Sequence, residues 1–109
     1  MEKVHGFLLW LIPTVEKFPR SQKFLLGDRI QSGALDVHER LIEATWSRHK
    51  LPALQQANLG LEKLRLLLRL AFDLRCIDKR RYEFAARSLD ELGRMVGGWS
   101  KSRHAEAPR

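Results

Sequence analysis

The stretch KLRLLLRLAFDLR, residues 63–75, decides the fold because its leucines fall on more than one face of a helix. A membrane segment, a basic helix lying on a membrane or on nucleic acid, and a helix covered by protein on several faces would all fit such a stretch. A helical wheel of about 100° per residue separates the apolar positions of this region into two sets. The broader set predicts the stripe that lines a core, and it consists of Leu54, Ala57, Leu61, Leu64, Leu68, Ala71 and Phe72.

The second apolar set lies on the opposite face of the same helix. Contiguous apolar surface there predicts a protein partner, and the simplest partner is a second copy of the chain. Scattered surface leucines, which folded proteins tolerate, are the alternative. An off-stripe tryptophan on the first helix joins the predicted oligomer interface, which comprises Trp10, Leu59, Leu66, Leu70 and Leu74. Between the two sets runs a seam of zero net charge, predicted to be structural: Glu62, Arg65, Arg69 and Asp73.

Turn signals divide the chain into four helical segments, at about residues 4–18, 21–47, 53–75 and 78–97. Ser21 is the predicted N-cap of the second helix, and the pair Gly97–Gly98 is expected to end the fourth. Gly27 and Gly33 within the second helix predict close approach by a neighbour. Short connections favour an all-α, antiparallel up-down-up-down four-helix bundle. We therefore predict a single domain over residues 1–102 and a disordered tail over residues 103–109.

Positive charge is the outstanding feature of the composition, with a net charge of +7 and most of the excess in the second half of the chain. Such a field favours polyanions. Four cations spaced every seven residues form a ridge opposite the predicted core face of the fourth helix, which consists of Tyr82, Ala86, Leu89 and Val96. With two flanking cations, the predicted nucleic-acid or polymerase site is Lys79, Arg80, Arg81, Arg87, Arg94 and Lys101. The alternative is a solvated face neutralised by i,i+4 pairs, Glu83 with Arg87 and Asp90 with Arg94.

Enzyme motifs are missing from the sequence, including phosphate-binding glycine loops, nucleophile elbows and zinc-binding histidine pairs. We expect no catalysis, no cofactor and no metal, and we interpret His38 as a hydrogen-bonded histidine at the core edge. The lone Cys76 predicts packing and gives no sign of secretion. The apolar run in VHGFLLWLIP, residues 4–13, is too short to span a bilayer, so a cytoplasmic protein without membrane association is expected.

Three segments resemble a known family: FPRSQKFLLGDRI at residues 18–30, LEKLRLLLRLAFDLRCI at 61–77 and YEFAARSLDELGRMVGGWSKS at 82–102. They are similar to the accessory variability determinant (Avd) proteins of diversity-generating retroelements. These belong to a wider family of four-helix proteins that includes those encoded in intervening sequences of 23S ribosomal RNA genes. The resemblance covers about residues 7–102.

The resemblance implies a basic, barrel-like homopentamer of four-helix bundles. It also implies a non-enzymatic partner of the element's reverse transcriptase and template RNA, required for mutagenic retrohoming. A 23S ribosomal intervening-sequence protein is the alternative within the family. A protein of the membrane surface that uses the first helix is an alternative from another class, disfavoured by Pro13 within the short apolar run.

Overall fold

The computed structural model describes residues 1–103, which form four helices and no strand. Helix α1 is Glu2–Glu16, α3 is Leu51–Asp73 and α4 is Lys79–Ser102. Helix α2 consists of three consecutive helical segments, Arg20–Gln22, a π-helical turn at Lys23–Gly27, and Asp28–Trp46.

Neighbouring helices run antiparallel, as the contacts between them show. Between α1 and α4, the Lys3 Nζ lies 3.7 Å from a carboxylate oxygen of Glu91. Farther along α1, the ring centroids of Trp10 and Phe84 are 4.7 Å apart, so residue numbers rise on one helix as they fall on the other. The same reversal relates α3 to α4, where Arg65 binds Asp90 and Phe72 stacks on Tyr82. The predicted all-α, antiparallel four-helix bundle is therefore confirmed, whereas its assembly into a pentamer stays a prediction.

The core stripe predicted on α3 is buried except at its last residue, Phe72. Six of its seven side chains are at most 2 % exposed, and Phe72 is half-buried against Tyr82. On α4 the core prediction is correct at Leu89 and Val96, whereas Tyr82 and Ala86 are only half-buried. The other two buried residues of this helix are Ala85 and Leu92. Burial of these apolar side chains is the main force that holds the four helices together.

Helix α2 lies close to its neighbours wherever it carries a glycine. A Cβ on Gly33 would lie 3.3 Å from Leu64 Cδ2, and one on Gly27 would lie 2.8 Å from Val15 Cγ1. The close approach predicted for these two glycines is therefore confirmed. The contact is closer still at a third glycine, Gly60 on α3, where an added Cβ would lie 2.6 Å from Val37 Cγ2.

Two predicted helix ends are wrong. Helix α2 begins at Arg20 with Pro19 as N-cap, so Ser21 lies inside the helix and does not cap it. Helix α4 continues through Gly97 and Gly98 to Ser102. Both glycines have helical backbone with no positive φ, and Trp99 beyond them packs on the core, so continued helix buries apolar surface that an early end would leave in water. Arg103 is the C-cap of α4, and the rest of the predicted tail, residues 104–109, lies outside the described residues.

Candidate nucleic-acid and polymerase interface

The predicted ridge lies on the outer face of α4, opposite the buried stripe of that helix. Its four cations are exposed, and they are Arg80, Arg87, Arg94 and Lys101. Because they recur every seven residues on a helix of 3.6 residues per turn, they drift only about 20° per step and keep to one side of the bundle.

No acidic side chain within residues 1–103 forms an ion pair with a ridge cation. The two pairs that would neutralise the ridge are absent. Glu83 lies 3.9 Å from Lys79 Nζ and not beside Arg87. Asp90 binds Arg65 on the neighbouring helix and not Arg94. The two local ion pairs of the alternative interpretation are therefore not formed, while a solvated face stays the alternative to a binding site.

The two flanking cations of the predicted site differ from the ridge, because each has an acidic partner. Arg81 donates its backbone N–H to Asp78 Oδ1 at 2.8 Å and a guanidinium N–H to Oδ2 at 3.0 Å. Asp78 is the N-cap of α4, so this contact fixes the start of the helix. Lys79 lies within 3.9 Å of Glu83 one turn along. Of the six cations in the predicted site, the four ridge cations are therefore those without an acidic partner, while Lys79 and Arg81 are paired at the helix terminus.

The arginines of the α3 seam are paired, as predicted. Arg69 Nε lies 3.3 Å from Asp73, and Arg65 Nε donates to Glu62 at 3.2 Å. Arg65 also bridges to α4, where it binds the Asp90 carboxylate and donates to the Leu89 carbonyl at 3.3 Å. The hydrogen bond to Asp90 raises the pKa of Arg65. The seam therefore joins α3 to α4 and contributes little free positive charge.

An aromatic cluster borders the ridge in the groove between α1 and α4. The Trp10 ring lies 4.7 Å from Phe84 and 5.9 Å from Phe7, centroid to centroid. Phe84 follows Arg80 by four residues and precedes Arg87 by three, so it lies beside both on the helix surface. Phe84 was not among the predicted site residues, although its spacing from two cations is visible in the sequence. Trp10 was expected to be an exposed subunit anchor, but it is half-buried between the two phenylalanines; its place in an oligomer interface stays a prediction.

The predicted outer face of α3 is open to solvent. Leu66 is 73 % exposed, and the other three side chains are 45–56 % exposed: Leu59, Leu70 and Leu74. Leu59 and Leu66 also line a groove between α2 and α3 that contains Arg29, Arg40 and Lys63. The second leucine set therefore has no partner within the described chain. Its role as a subunit interface remains a prediction.

Groups with possible chemical reactivity are few and separate from the ridge. His38 is half-buried, and its Nδ1 is buried without a hydrogen-bond partner in the described part of the chain, so the hydrogen bond expected there is not formed by this nitrogen. Burial raises the pKa of the Cys76 thiol, which packs against the core. Within residues 1–103 no cluster of His, Cys, Asp or Glu could hold a metal ion, and none of the helices combines the length and apolar character needed to cross a membrane.

The family comparison matches nearly the whole chain. A family model described as bAvd-like matches residues 1–103. The chain belongs to the bAvd-like family. The resemblance to Avd proteins is thereby confirmed, and bAvd-like proteins are of an accessory, non-catalytic kind. Comparisons with the curated proteins and with the solved structures find no match.

Proposed function

We propose that this bAvd-like chain is the accessory protein of a diversity-generating retroelement. It binds the element's reverse transcriptase and template RNA and supports mutagenic retrohoming, while the polymerase supplies the chemistry. The observation that carries this proposal is the row of four ridge cations without acidic partners on the outer face of α4. Such a row attracts a phosphate backbone by charge and shape without reading bases.

The protein acts in the cytoplasm as a homo-oligomer, a pentamer by analogy with the Avd proteins. The exposed leucines of α3 form the contact between subunits, which leaves the ridge on α4 free for nucleic acid or polymerase. Assembly places several ridges in one particle and multiplies the positive field that a polyanion meets. This arrangement assigns opposite tasks to the two outer faces, one apolar and one basic.

The test of this proposal is charge reversal of the ridge with a matched control. The variant Arg80→Glu/Arg87→Glu/Arg94→Glu lowers the net charge by 6, from +7 to +1. The control Lys17→Glu/Arg20→Glu/Arg48→Glu makes the same change at three exposed cations at or just beyond the two ends of α2. We expect the ridge variant to lose binding to template RNA and reverse transcriptase in pull-downs with and without nuclease, and the control to keep most of it. Equal losses of binding in the two variants would mean that the ridge acts only through its contribution to net charge. Unchanged binding by the ridge variant would overturn the assignment.

A 23S ribosomal intervening-sequence protein is the alternative function, and the strong positive charge favours the retroelement type. The genomic neighbourhood distinguishes the two. A reverse transcriptase gene beside an imperfect template and variable repeat pair would support the proposal. A location within a ribosomal RNA gene would contradict it.

A further inference from the structure

Phe84 is an unusual residue for a basic surface. It is 40 % exposed although it is a large aromatic side chain, and it lies on α4 between Arg80 and Arg87. Both arginines are exposed and neither has an ion-pair partner within residues 1–103. An aromatic ring flanked by two free cations combines the two features from which proteins build sites for single-stranded nucleic acid.

The ring of Phe84 is supported from inside the protein. Its centroid lies 4.7 Å from that of Trp10, with the planes inclined by 46°. Trp10 in turn stacks at 5.9 Å on Phe7, which is 5 % exposed and part of the core. The exposed ring is therefore the outer member of a row of three aromatic rings. Such support restricts the motion of Phe84, so less conformational entropy is lost when a ligand contacts it.

Two grooves meet at Phe84, and each brings cations to it. One groove is lined by Trp10 and Phe84 together with Arg80, Arg81 and Asp78. The other is lined by Phe84 with Lys3, Arg87, Ser88 and Glu91, among others. Glu91 lies 3.7 Å from Lys3, and Asp78 binds Arg81, so the acids of both grooves are already paired. Arg80 and Arg87 remain available on either side of the ring.

We infer that Phe84 is a stacking platform for an unpaired base of single-stranded nucleic acid. Arg80 and Arg87 bind the backbone on either side, and Trp10 is a positioning residue that supports the ring. The ligand is single-stranded because bases within a duplex are stacked on one another and cannot stack on a side chain. This inference rests on the proposed function. It adds that the surface around Phe84 binds single-stranded nucleic acid more tightly than a duplex of equal charge.

The test compares three fluorescent probes in anisotropy titrations of the full chain: an oligouridine of about 12 nucleotides, an abasic backbone of the same length, and an RNA duplex. We expect Phe84→Ala to weaken oligouridine binding about tenfold, the scale of one lost base–aromatic stack, and to leave the other two probes within about twofold. Phe84→Tyr should retain affinity, and Phe84→Leu should not, because leucine has no π face. The matched control is Phe24→Ala, which removes a phenylalanine that is 67 % exposed on α2.

A second measurement uses the unaltered protein and is independent of any change in folding. Ultraviolet crosslinking to oligouridine, followed by trypsin, should place the modified base on Phe84 in the peptide YEFAAR, residues 82–87. A crosslink confined to other peptides would overturn the inference. So would an equal loss for all three probes in Phe84→Ala, or a loss of polymerase binding alone, which would indicate a protein contact. Absence of binding to every probe by the unaltered protein would instead count against the proposed function itself.

Discussion

Asp90 on α4 binds Arg65 on α3, although Arg94 is only one turn away on its own helix. This pairing joins α3 to α4, and it leaves the charge of Arg94 unpaired rather than that of Arg65. Gly93 leaves room for the Arg65 side chain, since a Cβ there would lie 3.0 Å from Arg65 Nη2. By neutralising Arg65, Asp90 joins two helices and leaves the ridge arginine without a partner.

This relationship predicts coupling between α3 and α4 at the bridge. A double-mutant cycle of Arg65→Ala and Asp90→Ala, measured by urea unfolding, should give a coupling free energy of about 0.2–1 kcal/mol, because the pair is partly exposed. The matched cycle of Arg69→Ala and Asp73→Ala probes a pair within one helix and should give a smaller coupling free energy than the Arg65–Asp90 cycle, no more than about 0.5 kcal/mol. RNA affinity of Asp90→Asn should stay close to that of the unaltered protein, whereas a large increase would mean that Asp90 also screens the ridge.

The contact of Gly60 with Val37 predicts a destabilising substitution. Gly60→Ala should lower the free energy of unfolding by about 1–3 kcal/mol, because the added methyl group overlaps Val37 and outweighs the gain in helix propensity. The cost should be smaller in a Val37→Ala background, where the space is open. Gly97→Ala is the control, since nothing lies within 4 Å of its Cβ position, and it should stabilise the helix by about 0.5–1 kcal/mol. Equal costs of Gly60→Ala in both backgrounds would refute the steric explanation.

The difference between free and paired cations predicts different salt dependences. Arg87→Ala should reduce the slope of log affinity against log salt by about 0.7 for single-stranded RNA, because one phosphate contact is lost. Arg81→Ala removes an equal charge, but one already paired with Asp78, and its backbone N–H still serves the N-cap. Its slope should change much less. Indistinguishable slopes for the two variants would show that the ion pair does not remove Arg81 from binding.

The outer leucines of α3 predict the site of subunit contact. Leu66→Glu/Leu70→Glu should give smaller particles in light scattering, because charge in an apolar interface is desolvated without a partner. The control is Leu9→Glu/Leu35→Glu, which alters two exposed leucines on α1 and α2 and should keep the full mass. If the unaltered protein is a monomer, the oligomer prediction is wrong. If only the control pair gives smaller particles, the interface lies on the α1–α2 side.

The sequence predicted most features that depend on periodicity within one helix; the exceptions are two predicted core positions of α4, Tyr82 and Ala86, which are half-buried. The buried and exposed leucines of α3 follow from helix geometry, as does the outward direction of the α4 ridge. It failed where the outcome depends on a neighbouring helix. The partner of Asp90 depends on how α3 packs on α4, and the rings of Trp10 and Phe84 meet only in the folded bundle. The prediction that Gly97 and Gly98 end α4 is wrong because it rested on local helix propensity, which does not include the packing of Trp99 on the core.

The seven-residue spacing of the ridge has a consequence for folding as well as for binding. Successive ridge cations lie about 10.5 Å apart along the helix axis, which exceeds the Debye length of about 8 Å at physiological ionic strength. Their mutual repulsion is therefore largely screened, and the bundle can carry four uncompensated charges on one face with little loss of stability. At about 0.01 M salt the Debye length grows to about 30 Å, so the four ridge cations repel one another more strongly in dilute buffer.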